Sequence, residues 1–158
     1  MNNEKPSAVA AAAAPAAASA CAVNRLVTFA HVVDVQTSVA FYALLGFSPE
    51  SVLKDSHGCM FWARLRSDKA EIMFARASGP VDPTVQAVLF YMYSRDVAGL
   101  RRHLLENGLH DGGRYCGQEG PNGGRRVTFE ITHPDYMPAG EFRVAEPDGY
   151  CILIGQLG

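Results

Sequence analysis

One interval occurs twice in this chain, and it restricts the possible folds more than any other feature. Asp34 and Gly46 stand twelve residues apart, and 62 positions later Asp96 and Gly108 do the same. Each Asp follows a stretch rich in β-branched and aromatic residues, 25–33 (RLVTFAHVV) and 88–94 (VLFYMYS), the composition of a strand on a pleated surface. Between Asp and Gly, apolar residues recur at helical spacing: Val35, Val39, Tyr42 and Leu45, then Leu100, Leu104 and Leu105. Asp34 or Ser38 can accept N–H bonds from the opening turn, and Gly46 can take the left-handed conformation that ends a helix. A shared start, length and stop mark a structural duplication.

Strand signals follow each helix. In the first copy they cover 48–55, 58–66 and 69–77. In the second, a glycine-rich loop over 112–126 precedes strands at 127–132, 140–146 and 150–156, the last two joined by Pro147-Asp148-Gly149. The loop lacks the Lys-Ser/Thr of a phosphate cradle and does not lead from a strand into a helix. The predicted fold is α+β: two tandem βαβββ modules, about 24–78 and 86–157, forming a curved mixed sheet around a pocket with helices outside. Residues 1–23 stand apart as an alanine-rich, low-complexity tail. An export signal, suggested by Ala18-Ser19-Ala20 before Cys21, fits less well, because the start is charge-balanced and the middle weakly apolar.

Composition narrows the function classes. The net charge is −2 with no basic block, so no footprint for nucleic acid or an anionic membrane is present. No stretch is long and apolar enough to span a bilayer. The cysteines at 21, 59, 116 and 151 form no CxxC pair. They read as reduced thiols of a cytoplasmic protein.

Asp34-Val35 with Ser38-Val39-Ala40-Phe41-Tyr42, then Leu45-Gly46-Phe47, and later Glu146-Pro147-Asp148-Gly149-Tyr150 resemble the opening and closing motifs of the vicinal oxygen chelate superfamily. That superfamily includes glyoxalase I, fosfomycin-resistance enzymes, extradiol dioxygenases and bleomycin-resistance proteins. The resemblance covers roughly residues 25–157. It implies the fold above and a pairing of modules within one chain or across a homodimer, but little about activity, because this fold hosts many chemistries. The metal enzymes of the superfamily take one ligand from each of four strands, and the matching positions here are Val27, Met73, Leu89 and Leu153. Valine and leucine offer no donor atom, and a thioether is too soft for Zn, Mn or Fe(II). The expectation is a protein with no metal and no other cofactor, like the bleomycin-resistance-type members.

Strand alternation extends the expected site. Phe29 and His31 share a face with Val27, Tyr91 and Tyr93 with Leu89, Glu71 with Met73, and Cys151 with Leu153; Trp62 can join from the third strand. The expected ligand contacts are these residues together with Met73, Leu89 and Leu153. His31 is either a core histidine, a partner for Tyr93, or an acid-base group. Glu71 must meet His31, an arginine, a ligand or a wet rim. Cys151 reads as an inert thiol, and the loop 133–138 around His133 as a lid or a proline-stiffened connection. Three functions compete: a metal-free binder of a small molecule; a metal-independent lyase or isomerase with His31 or Glu71 as acid or base; and a metal-dependent lyase or dioxygenase with His31, Glu71 and His133 as ligands.

Overall fold

The computed structural model describes residues 27–82, 89–116 and 126–158. The expected tail and most of the glycine-rich loop lie outside them. The first module runs β1 (Thr28–Val32), α1 (Val35–Leu44), β2 (Ser48–Lys54), β3 (Met60–Ser67) and β4 (Ala70–Arg76). The second runs β5 (Leu89–Ser94), α2 (Val97–Glu106), β6 (His110–Asp111), β7 (Val127–Thr128), β8 (Glu141–Ala145) and β9 (Cys151–Gln156). Their strands form two sheets, ordered β1-β4-β3-β2 and β5-β9-β8-β7-β6. In each, the first strand pairs in parallel with the last, and the last pairs antiparallel with the one before it. This is the α+β architecture expected from the repeat.

The repeat is legible atom by atom at the helices. Asp34 caps α1 by accepting from Thr37 N–H at 2.6 Å, and Asp96 caps α2 by accepting from Gly99 N–H at 2.8 Å. At the far ends Gly46 and Gly108 adopt φ of 85° and 86°, and the next N–H returns five residues, Phe47 to Tyr42 and Leu109 to Leu104, at 3.1 Å in both. These are matched Schellman stops.

After Gly108 the copies diverge. β6 runs parallel to β7, and β7 takes the place beside β8 that β2 takes beside β3. The strand expected over 127–132 is only two residues long. Arg101 of α2 donates to Phe129 C=O at 2.6 Å, and Glu130 N–H turns to Gly113 C=O. The ladder to β8 resumes as a single bridge between Thr132 and Glu141.

One face of each sheet packs on its helix. Ala30, Val32, Ala63, Leu65, Ile72 and Phe74 meet Val35, Val39, Phe41 and Tyr42, while Phe90, Phe142, Val144, Ile152 and Ile154 meet Val97 and Leu104, all within one continuous core. Burying residues of this size supplies the main driving force for folding. The closing turn of module two also clasps module one: Asp148 accepts from Val33 N–H at 3.0 Å, and Tyr150 Oη donates to His31 C=O at 2.8 Å. No helix among the described residues is long and apolar enough to cross a membrane.

Candidate functional site

Alternation leaves the second face of each sheet bare of helix. On the first sheet the register sets Phe29 beside Met73 and Arg64, and His31 beside Ala75 and Trp62, with Leu53 beyond. On the second it sets Leu89 beside Cys151 and Ala145, Tyr91 beside Leu153 and Arg143, and Tyr93 beside Gly155 and Glu141. Counted back from the two capping aspartates, Phe29 corresponds to Tyr91 and His31 to Tyr93. Along the partner strands Met73 corresponds to Leu153 and Ala75 to Gly155. Much of this surface is open, with Phe29 53%, Leu89 47% and Tyr93 60% exposed. Leu153, an expected contact, is buried at 5%; it alone of that set is closed to solvent.

The candidate acid-base pair is not brought together. His31 and Glu71 lie two rungs apart on the sheet, about 13 Å along the strand direction, and His31 meets the Phe29 ring edge-on at 5.7 Å. Glu71 takes the arginine alternative. It accepts from Arg64 at 2.8 Å and Arg66 at 2.9 Å, while Glu50 approaches the same two guanidinium groups at 3.0 and 3.4 Å. The bond to Glu71 holds the Arg64 guanidinium above its usual range. His133 is turned into its own loop, with Nδ1 3.0 Å from Pro138 O. Among the described residues, no group of three or more His, Cys, Asp or Glu side chains is placed to hold a metal ion.

The second sheet disposes of its charge differently. Glu141, buried at 4% exposure, accepts from Tyr91 Oη on one oxygen and Tyr136 Oη on the other, each at 2.7 Å. Burial first, then this bond, pushes the Tyr91 phenol up to about 12. The same carboxylate, through its hydrogen bond, raises that of Tyr136. Gly155 makes the arrangement sterically feasible, since a Cβ there would stand 2.9 Å from both Tyr91 Oη and Met137 Cε. The loop 133–138 therefore lies against the open face through Tyr136 and Met137, as a cover over part of it. Arg143 sits over the Tyr115 ring, 4.3 Å from its centroid, and points toward Cys151 Sγ at 3.6 Å.

The expected site omits Glu141 and Arg143, although both lie in the strand expected over 140–146 and observed as β8. Extending the period-2 count from Leu153 across the turn would have found both. Tyr136 carries no such signal. Glu146 was also missed as a structural group. Its Oε1 accepts from Asp148 and Tyr150 N–H at 2.7 and 3.0 Å, shaping the turn that clasps module one. Burial pushes its carboxyl up to about 7. Among the described residues its Oε2 and the Tyr42 hydroxyl are buried without a hydrogen-bond partner, and burial, with Glu146 nearby, holds the Tyr42 phenol well above its usual range.

No protein-family model matches the sequence, and comparison with curated proteins finds no match. Solved structures do match. A bleomycin-binding protein complexed with bleomycin superposes with a TM-score of 0.62 at 17% identity, covering 86% of this chain and all of that one. An antibiotic binding protein from Streptomyces sp. CB03234 gives 0.58 at 15%, covering 87% and 98%. A glyoxalase-related enzyme from Clostridium phytofermentans gives 0.59 at 14%, covering 87% and 97%. At these identities the likeness is one of fold, and the fold is that of the bleomycin-resistance and glyoxalase proteins.

Proposed function

We propose that this chain is a metal-free, small-molecule-binding protein that holds an organic ligand against its aromatic open faces. The observation that carries the reading is the exposure of Phe29, Leu89, Tyr91 and Tyr93 on the sheet faces turned from the helices. Large apolar groups gathered on one surface mark interaction sites, and a few polar groups among them suit orientation of a ligand. Trp62, Met73 and Cys151, half-buried on the same faces, complete the proposed contacts with His31. Neighbours of the same fold are described as bleomycin-binding and antibiotic-binding, which supports the class of function without fixing the ligand. Acid-base catalysis by His31 and Glu71 has less support, because both Glu71 oxygens are held by arginines. A homodimer in the cytoplasm completes the reading: the resemblance implies that modules pair within one chain or across two copies, and Cys59, Cys116 and Cys151 are free thiols.

A thermal-shift screen against antibiotics (bleomycin among them), thiol conjugates and small oxo-acids tests the proposal. A compound present at 100 times its Kd is expected to stabilise the fold by about 2.7 kcal/mol, a shift of several degrees. Elemental analysis of protein purified without chelator is the counter-test. Stoichiometric Zn, Mn, Ni or Fe would overturn the metal-free reading.

A further inference from the structure

We infer that the Tyr91–Glu141–Tyr136 cluster selects an organic cation: an ammonium, amidinium or guanidinium group carried on the ligand. This rests on the reading that the open face binds a small molecule, and it names the class of molecule. Glu141 is almost fully buried, yet no Lys, Arg or His among the described residues forms an ion pair with it. Among the described residues its side-chain donors are two phenols. Both phenol protons are committed to the carboxylate, so what Tyr91, Tyr136 and Glu141 still offer is oxygen lone pairs, which only accept. Around them stand the ring faces of Tyr91 and Tyr93, 5.2 Å apart and tilted by 52°, and Tyr136, 70% exposed. Electron-rich rings beside a carboxylate attract a desolvated cation.

Arg143 is the charge that could compete, since its rung adjoins that of Glu141 on the same face. Its guanidinium is drawn onto the Tyr115 ring and toward Cys151, on the opposite side of the Leu153 rung from Gly155, and its charge acts on the Tyr136 phenol only as the last and opposing influence, behind Glu141 and burial. The first sheet supplies the contrast. Glu71 is already matched by Arg64 and Arg66, and that face requires no cation from outside.

Calorimetric titration of the full chain at low ionic strength with benzamidine, benzamide and benzoate tests this, since the three share a ring and differ in charge. Benzamidine is expected to bind at least ten-fold more tightly than benzamide, with benzoate weakest, and added salt to weaken benzamidine alone. Glu141→Gln should bring benzamidine to the level of benzamide. If that buried substitution does not fold, Tyr93→Leu, at an exposed position, keeps the test alive: it should weaken benzamidine several-fold more than benzamide. Equal affinity for benzamidine and benzamide, both lost in Tyr91→Ala, would overturn cation selection and leave small-molecule binding standing. A preference for benzoate would also overturn it. So would tyrosine signals that follow protein concentration rather than benzamidine, since a second copy would then occupy the face. Failure of these probes and of the whole antibiotic panel would overturn both readings.

Discussion

Glu71 of the first sheet and Glu141 of the second both stand on the face free of helix, in surroundings built differently. Glu71 lies between two arginines, with Glu50 as a fourth member of the network. Glu141 is held by two tyrosine hydroxyls and, among the described residues, by no cation. The backbones follow one plan, with matched caps, matched helix stops and matched parallel pairs. A duplicated scaffold therefore fixes where side chains project but not what they do there. In module one the polar groups satisfy one another; in module two they leave acceptor capacity beside aromatic rings.

The closing turns differ as well, and the largest expected effect lies there. Glu146 shapes the turn that grips β1 of the other module. Its native carboxyl titrates near pH 7, well above the ordinary value of about 4.3 for the unfolded chain. Between those values the folded state keeps a proton that the unfolded state has released, so stability falls as pH rises through the window and the loss is complete above pH 7. The loss is expected to reach up to ~3 kcal/mol. Denaturant melts of Glu146→Gln from pH 4 to 8 should lack it; an unchanged pH slope would show that another group titrates.

Gly155 and Ala75 occupy equivalent rungs and sharpen the contrast between the open faces. Gly155→Ala should destabilise by about 2 kcal/mol, through overpacking against Tyr91 and Met137, and should weaken ligand binding by shifting Tyr91 off Glu141. Ala75→Gly in module one should cost under ~1 kcal/mol and leave binding intact. The helix caps test the sameness of the modules. Asp34→Ala and Asp96→Ala should each cost about 1 kcal/mol in chemical denaturation, and a large inequality would mean that only one cap is coupled to the rest of the fold. The smallest effect belongs to Arg66→Ala. Half-exposed Arg66 shares Glu71 with Arg64, so its loss should change stability by under ~1 kcal/mol and ligand affinity not at all.

Much of this fold is legible in the sequence because the repeat is written in local chemistry. A capping Asp and a left-handed Gly twelve residues on act through their own backbone neighbours, and alternation in β1, β4, β5 and β9 is enough to set Phe29, Glu71, Tyr91 and Cys151 on the faces turned from the helices. What failed was non-local. Arg101 interrupts the expected strand at 127–132 by reaching across from α2. Glu71 finds one of its expected partners, an arginine, close by in β3, whereas Glu141 and Tyr91 meet across 50 residues of sequence. Local periodicity carries no information about such pairings. The buried state of Leu153 is likewise a product of tertiary packing.

The proposed function has an organic ligand held against the aromatic open faces, with Tyr91 and Tyr93 of module two among its contacts, and without a metal ion. It is tested most directly by titrating the strongest compound from the thermal-shift screen into chelator-treated wild-type chain and into Tyr91→Ala/Tyr93→Ala. The wild-type chain should bind with unchanged affinity after chelation, and the double variant, still folded by circular dichroism, should lose at least ten-fold. Binding that chelation abolishes and added Zn, Mn or Fe restores, or equal binding by both proteins, would contradict it.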